Sequence, residues 1–236
     1  MIYHLISSPR NLSTAMMYSF YHRGDTKVVD EPFYGYYLSK TGKQHPGHQE
    51  ITSNMSTDPE EVKAALALER DEPHLFIKDM AHHLIEMDLS FMETHVPIFL
   101  IRNPHQLIAS FAQVIPNPTM ADIGLKRQYE IFQSVKSSGR KAFVVDSGDL
   151  LENIESYVKK LCAQLDLDYR ERMISWPKGA IEADGPWAQY WYKNIHESTG
   201  FKKQSSSNRP LPKACQELYE QSKLYYDELS NYALKV

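Results

Sequence analysis

Ile101-Arg102-Asn103-Pro104-His105-Gln106-Leu107-Ile108-Ala109-Ser110 closes an apolar run and opens a helical pattern. It sets an arginine at the end of a strand and a serine eight residues later, one or two turns into the segment that follows. That is a geometry for holding a phosphate. A second stretch of the same kind, Ser7-Ser8-Pro9-Arg10-Asn11-Leu12-Ser13-Thr14, joins the apolar residues 2–6 to an amphipathic helix. A strand that turns into a helix leaves backbone N–H groups pointing outward at the positive end of the helix dipole, which favours an anion. Ser13 and Thr14 add hydroxyl donors, and Arg10 adds a planar fork able to grip two oxygens together. Ser13 alone would also serve as an ordinary helix cap. Two anion sites on one sheet imply a nucleotide phosphorylated at both ends.

Working outward, short apolar runs at residues 3–6, 27–29, 75–77, 97–101 and 142–145 read as buried strands, with helical patterns between them. The alternation implies βαβ crossovers and a three-layer α/β/α domain with a central, mainly parallel sheet. A helix starts at Asp58-Pro59-Glu60-Glu61, where a cap, an N-terminal proline and acids near the dipole's positive end coincide. Others are expected over 120–137, over 154–165 and over 213–233, the last docking through Leu218, Leu224, Tyr225 and Leu229. The polar stretches 40–57 and 196–212 are expected to be long loops, lids over a site or surface connections.

The 236 residues suit one domain, 1–236, and 42% hydrophobic content is that of an ordinary globular chain. With a net charge of -4, nothing in the overall field points to nucleic acid or an acidic membrane surface, so a charged ligand must be met locally. Cys162 and Cys215 lack metal-ligand spacing and read as free buried thiols of a reducing compartment. No apolar run approaches a membrane span, and the first residues lack a signal pattern. The expected location is cytoplasmic.

The nucleotide-triphosphatase loop wants G-x-x-x-x-G-K-[ST]. The stretch from Ser7 to Thr14 has neither the glycines nor the lysine. Instead, Pro9-Arg10-Asn11-Leu12-Ser13-Thr14 followed by Arg102-Asn103-Pro104 and Ser110 resembles the pair of cofactor motifs of the sulfotransferase family. Residues 145–151 and 165–167 are similar to the segment that closes that family's core, so the resemblance covers most of residues 1–170. Leu12 stands where many members have glycine. The resemblance implies a P-loop-like fold and 3′-phosphoadenosine 5′-phosphosulfate (PAPS) as sulfuryl donor. It places the 5′-phosphosulfate on Arg10, Asn11, Leu12, Ser13 and Thr14, and the 3′-phosphate on Arg102 and Ser110. The product would be adenosine 3′,5′-bisphosphate (PAP), and the acceptor a hydroxyl or amine on a small molecule.

Sulfuryl transfer asks for in-line positioning, donors for charge building on the leaving oxygens, and a base for the acceptor. Arg10 and the helix N-terminus supply the donors, and no metal is expected. Glu31, in Val29-Asp30-Glu31-Pro32-Phe33-Tyr34, lies at a strand end and resembles the carboxylate base of carbohydrate-directed branches. Aromatic neighbours would raise its pKa toward the working pH. Alternatively, Asp30 and Glu31 cap the helix that Pro32 opens. In Ile77-Lys78-Asp79-Met80-Ala81-His82-His83, Lys78 fits the family's lysine beside the sulfuryl group, whereas the family's histidine position holds Met80. His82 is the second candidate base. For Arg102 the plain alternative is a salt bridge at a strand end, and for Ser110 a hydroxyl bonded to its own helix.

Trp187, Tyr190, Trp191 and Tyr192 read as core ahead of a pocket wall. Lys202, Lys203 and Arg209 are candidates to close over the 3′-phosphate, and His45 with His48 is a weak metal pattern that is set aside. Two competing functions remain: a nucleotide kinase or hydrolase with a degenerate loop, and a nucleotide-binding protein without turnover.

Overall fold

The computed structural model describes residues 1–69, 72–202 and 209–236. Five parallel strands, β1 (Ile2–Ser7), β2 (Thr26–Asp30), β3 (His74–Met80), β4 (Val96–Ile101) and β5 (Phe143–Asp146), form one sheet in the order β2-β3-β1-β4-β5. Alternate side chains serve opposite faces. Tyr3, Leu5, Phe76, Ile98 and Leu100 enter one apolar layer, with the helices Ser13–Tyr21, Tyr34–Thr41 and Ile154–Gln164. Ile6, Ile77, Phe99 and Ile101 enter the other, beneath Pro59–Leu68, Pro104–Phe111, Leu125–Ser137 and Gln216–Ser230. Continuous apolar runs are what a strand buried on both faces requires. The Phe20 and Phe76 rings stack at 4.0 Å on the first face, and Phe99 meets Phe132 edge-on at 5.4 Å on the second.

The chain leaves β1 toward β2 on one side and leaves β4 toward β5 on the other. β1 and β4 are neighbours, so the crevice where connections diverge lies at their carboxyl ends, where an open parallel sheet binds ligands. Both stretches singled out above as candidate anion sites begin there.

The Asp58 side chain accepts from Glu60 N–H with Pro59 at the first turn, as expected of that helix start. Three expectations are corrected. The helix expected over 120–137 is two, Met120–Ile123 and Leu125–Ser137, because Gly124 takes a left-handed φ of 64° between them. Residues 40–57 are not one loop. They include the helix His48–Asn54, anchored by the fully buried Ile51, a lone apolar side chain whose periodicity a polar stretch conceals. Leu224 does not dock. It is 68% exposed, because the inward stripe of the C-terminal helix runs through Leu218, Ser222, Tyr225 and Leu229.

No helix among the described residues is long and apolar enough to cross a membrane. Cys162 and Cys215 are buried and unbridged.

Candidate functional site

The carboxyl ends of the strands open onto a cleft of about 670 Å³. Arg10, Asn11, Leu12, Ser13, Thr14, Glu31, His82, Arg102 and Ser110 all line it, as do Lys202 and Arg209. Lys203 lies outside the described residues.

One half is cationic. The Arg10 Nε donates to Ser110 Oγ at 3.2 Å, and Arg102 Nη1 donates to the Arg10 carbonyl, so the two stretches are joined across the β1/β4 crevice. Ser110 is thus engaged by Arg10, and Arg102 by the first loop; neither the salt bridge nor the self-bonded hydroxyl describes them. Burial and the neighbouring guanidinium of Arg209 push Arg10 below the usual arginine range; burial, Arg10 and Arg209 do the same to Arg102. Like charges are crowded together, and no described carboxylate pairs with either.

Asn11 braces the loop. Its Nδ2 donates to the Leu100 carbonyl at 3.0 Å, and its Oδ1 accepts from Leu12 N–H at 2.9 Å. Leu12 has φ -85°, a conformation open to any residue, so the loop does not need glycine there. The helix Ser13–Tyr21 starts with no side-chain cap, which leaves its first amides directed at the cleft. Ser13 is therefore not an ordinary cap. Two guanidinium groups, three hydroxyls and an uncapped helix start are donors able to meet an anionic ligand.

The other half is built around Glu31. Asp30 and Glu31 do not cap the next helix, which begins at Tyr34 from an Phe33 N-cap without a side-chain bond. Glu31 instead adopts φ 41°, its N–H donating to the Lys78 carbonyl at 2.7 Å, and its carboxylate lies in the cleft wall. Desolvation, opposed by Lys78, pushes its pKa up to about 7. Lys78 is fully buried behind it, off the cleft wall, and its ammonium donates to Glu31 Oε1, to Asp30 Oδ1 at 2.9 Å and to Tyr192 OH at 2.7 Å. The lysine that the family resemblance sets beside the sulfuryl group here touches the carboxylate. His82 lines the cleft but burial lowers its pKa to about 3, leaving a weak base. His83 brings Nδ1 to 3.7 Å from Glu31 Oε2 and stacks on Tyr34 at 4.6 Å.

The aromatic run divides. Trp187 and Tyr192 are buried in the core and also reach the cleft, Trp191 is partly buried on its wall, and Tyr190 is 45% exposed. His45 bonds Tyr34 OH through Nδ1 at 2.8 Å, while His48 Nδ1 faces the Lys43 carbonyl at 2.7 Å, so the two rings serve separate partners.

Sequence reasoning missed Gln128. Fully buried, its Nε2 donates to the carbonyls of Ile6 at 2.8 Å and Leu100 at 2.9 Å, tying together the ends of β1 and β4 from which the two strand-to-helix loops depart. Its signal was available: a polar residue on the inward stripe that also carries Leu125, Ile131, Phe132 and Val135.

A family model described as a sulfotransferase domain matches residues 1–233. The chain belongs to the sulfotransferase domain family. Among solved structures, this domain is similar to the sulfotransferase domain of the Synechococcus PCC 7002 olefin synthase (TM-score 0.59, 15% identity, 93% of each chain). It is also similar to the sulfotransferase domain of the curacin biosynthetic pathway (TM-score 0.54, 10% identity, all of this chain and 98% of that one). Those likenesses concern the fold, and the α/β fold with a parallel central sheet is the one expected from sequence. Two Arabidopsis thaliana proteins named branched-chain-amino-acid aminotransferase-like protein 1 and 2 are 34% and 31% identical over 98% and 97% of this chain. The domain spans only 42% and 41% of their lengths.

Proposed function

We propose that this sulfotransferase domain moves a sulfuryl group from PAPS to a hydroxyl or amine of a small acceptor. The observation that carries the reading is the convergence of Arg10, Arg102, Ser110 and an uncapped helix start in one cleft, whose lining also includes a buried carboxylate residue, Glu31. When bound, PAPS supplies the sulfuryl group and departs as PAP. Arg102 and Ser110 would hold the 3′-phosphate. Arg10 and the first amides of the helix Ser13–Tyr21 would hold the 5′ end and meet charge developing on the leaving oxygens, donors already in place before reaction. Ser13 and Thr14 add hydroxyls there.

Glu31 would take the acceptor proton. A carboxylate with a pKa of about 7 acts as base only when ionised, so kcat/KM should rise with pH through that value. His82, with a pKa of about 3, stays neutral throughout and does not account for such a limb. The acceptor would lie against Tyr34, His83, Trp187 and Trp191, aromatic faces suited to a small ring-bearing molecule. The aminotransferase likeness in the plant relatives' names belongs to proteins more than twice this length. Two buried free thiols fit a reducing, cytoplasmic compartment.

Calorimetry with PAP, ATP, GTP and AMP tests the donor, and release of PAP from PAPS with a panel of phenols, sugars and amines tests the reaction. PAP should bind at least about tenfold more tightly than ATP. ATP binding as well as PAP would favour the degenerate-loop kinase or hydrolase; PAP binding without turnover on any acceptor would favour a binding protein.

A further inference from the structure

Behind Glu31 lies a group of buried polar side chains whose centre is the phenol oxygen of Tyr192. Trp187 Nε1 reaches that oxygen at 3.1 Å, Lys78 Nζ at 2.7 Å, and Asp30 Oδ2 lies 2.8 Å away. An indole N–H and an ammonium can only donate, so the phenol proton has one destination, the Asp30 carboxylate. The Lys78 ammonium has three protons and three acceptors here, Asp30, Glu31 and Tyr192. Every hydrogen bond in the group therefore has a fixed direction, and the ammonium has no proton left to turn toward the cleft.

We infer that Tyr192 is a positioning residue, whose phenol oxygen fixes the Lys78 ammonium and through it the orientation and charge of the Glu31 carboxylate. The inference rests on the reading of Glu31 as the base and extends it to a side chain 161 positions away in the chain. The groups facing Glu31 are Lys78, Asp30, Asp79, His83, Tyr34 and Tyr192. Burial pushes the Asp79 carboxyl up, the His83 imidazole down and both tyrosines up, each toward its neutral form. Of these groups, Asp30 and Glu31 both accept from the Lys78 ammonium, so two carboxyl groups draw on one cation.

Tyr192 sets the balance. Its proton satisfies Asp30 Oδ2, whose other partner among the described residues is Gly185 N–H at 3.4 Å. In Tyr192→Phe the hydroxyl is gone while the ring stays, Asp30 draws the ammonium toward itself, and Glu31 loses the cation that favours its ionised form.

The experiment uses the full chain labelled with carboxyl-13C glutamate, the Glu31 resonance being assigned by its loss in Glu31→Gln. The titration midpoint of Glu31 should rise by about half a pH unit or more in Tyr192→Phe, while PAP affinity by calorimetry stays within about twofold. A merely structural role would lower melting temperature or affinity and leave the midpoint in place. Should Tyr192→Phe fail to fold, Trp187→Phe removes one of the two donors to the phenol oxygen and should raise the midpoint in the same direction by a smaller, resolvable amount. A midpoint unmoved in a folded variant overturns the inference. The titration needs neither PAPS nor acceptor, so failure of the transferase reading, a wild-type protein that releases no PAP from PAPS, is seen separately.

Discussion

Replacing Arg102 by alanine should separate ligand affinity from stability. In the proposed complex the guanidinium contributes a charge-assisted contact to the 3′-phosphate, and such bonds contribute about 1.5–3 kcal/mol each. Arg102 also donates to the carbonyl of Arg10, whose backbone sits at φ 56°, so the substitution loosens the loop that holds the other end of the nucleotide. Direct and indirect losses together give about 2–4 kcal/mol, which is about 30- to 1,000-fold in Kd for PAP. The free protein should barely notice. It loses one hydrogen bond, about 1 kcal/mol, and is relieved of repulsion among Arg10, Arg102 and Arg209, so its melting temperature should move by no more than about 4 °C.

Calorimetry at two salt concentrations adds an internal check, because the lost charge–charge attraction is the part that salt screens. The residual affinity of Arg102→Ala should depend less steeply on ionic strength than that of the wild type. Arg102→Lys should fall between the two, keeping the charge and losing the fork. A Kd for PAP within about threefold of the wild type, in a variant of unchanged melting temperature, would refute the assignment of this side chain to the 3′-phosphate.

Glu31→Gln should lower kcat by about a hundredfold or more while PAP binding stays within about twofold, since the role proposed for the carboxylate is on the acceptor side; equal losses in both would place Glu31 in the binding machinery instead. Stability should fall as pH drops below about 6.5. His82 and His83 are held neutral in the folded chain and become charged on unfolding, so the unfolded state binds two more protons there; Glu31, with a folded pKa of about 7, returns one above its ordinary range. The net from these groups is one proton, about 1.4 kcal/mol per pH unit between roughly pH 4.5 and 6.5, and Glu31→Gln should steepen that slope to about twice the value in denaturant titrations. A slope unaltered in Glu31→Gln would remove the compensation argued here. Gly124→Ala should cost about 1–3 kcal/mol and lower the melting temperature by several degrees in calorimetry: φ is 64° and a Cβ would lie 2.9 Å from the His82 backbone nitrogen. No change would mean that the junction of the two helices yields freely.

The fold and the residues that gather at the cleft could be read from sequence because both depend on local chemistry. A strand buried on two faces must be continuously apolar, and an anion-holding turn must carry donors at the strand-to-helix boundary, so residues 97–110 announce themselves. What could not be read depends on partners distant in the chain. Lys78 looked like a side chain for the ligand; that Asp30, Glu31 and Tyr192 would occupy all three of its protons follows from β2 pairing with β3 and from residues 187–192 folding back beneath them. Tyr192 belonged to an aromatic run whose spacing speaks of packing, and the hydroxyl that gives it a second role leaves no mark in a periodicity. Ile51 and Gln128 failed in opposite ways, one an apolar residue among polar ones and the other a polar residue among apolar ones, each read by its surroundings rather than by its contacts.

The backbone itself separates Arg10 and Glu31 from their neighbours. Five non-glycine residues among those described have positive φ: Arg10, Glu31, Glu86, Asn117 and Asp166. The last three sit in exposed turns, and two of them are Asn or Asp, which tolerate the left-handed region by bonding locally. Arg10 and Glu31 have long side chains, are at least partly buried and line the cleft, so neither excuse applies. A strained residue costs about 1–3 kcal/mol and persists only where its surroundings over-determine it. Here they do: Arg102 and Ser110 hold Arg10 at its carbonyl and guanidinium, and Lys78 holds Glu31 at both its N–H and its carboxylate. At each strand end a glycine would have removed the strain and with it the only charged side chain that this backbone turn points into the cleft.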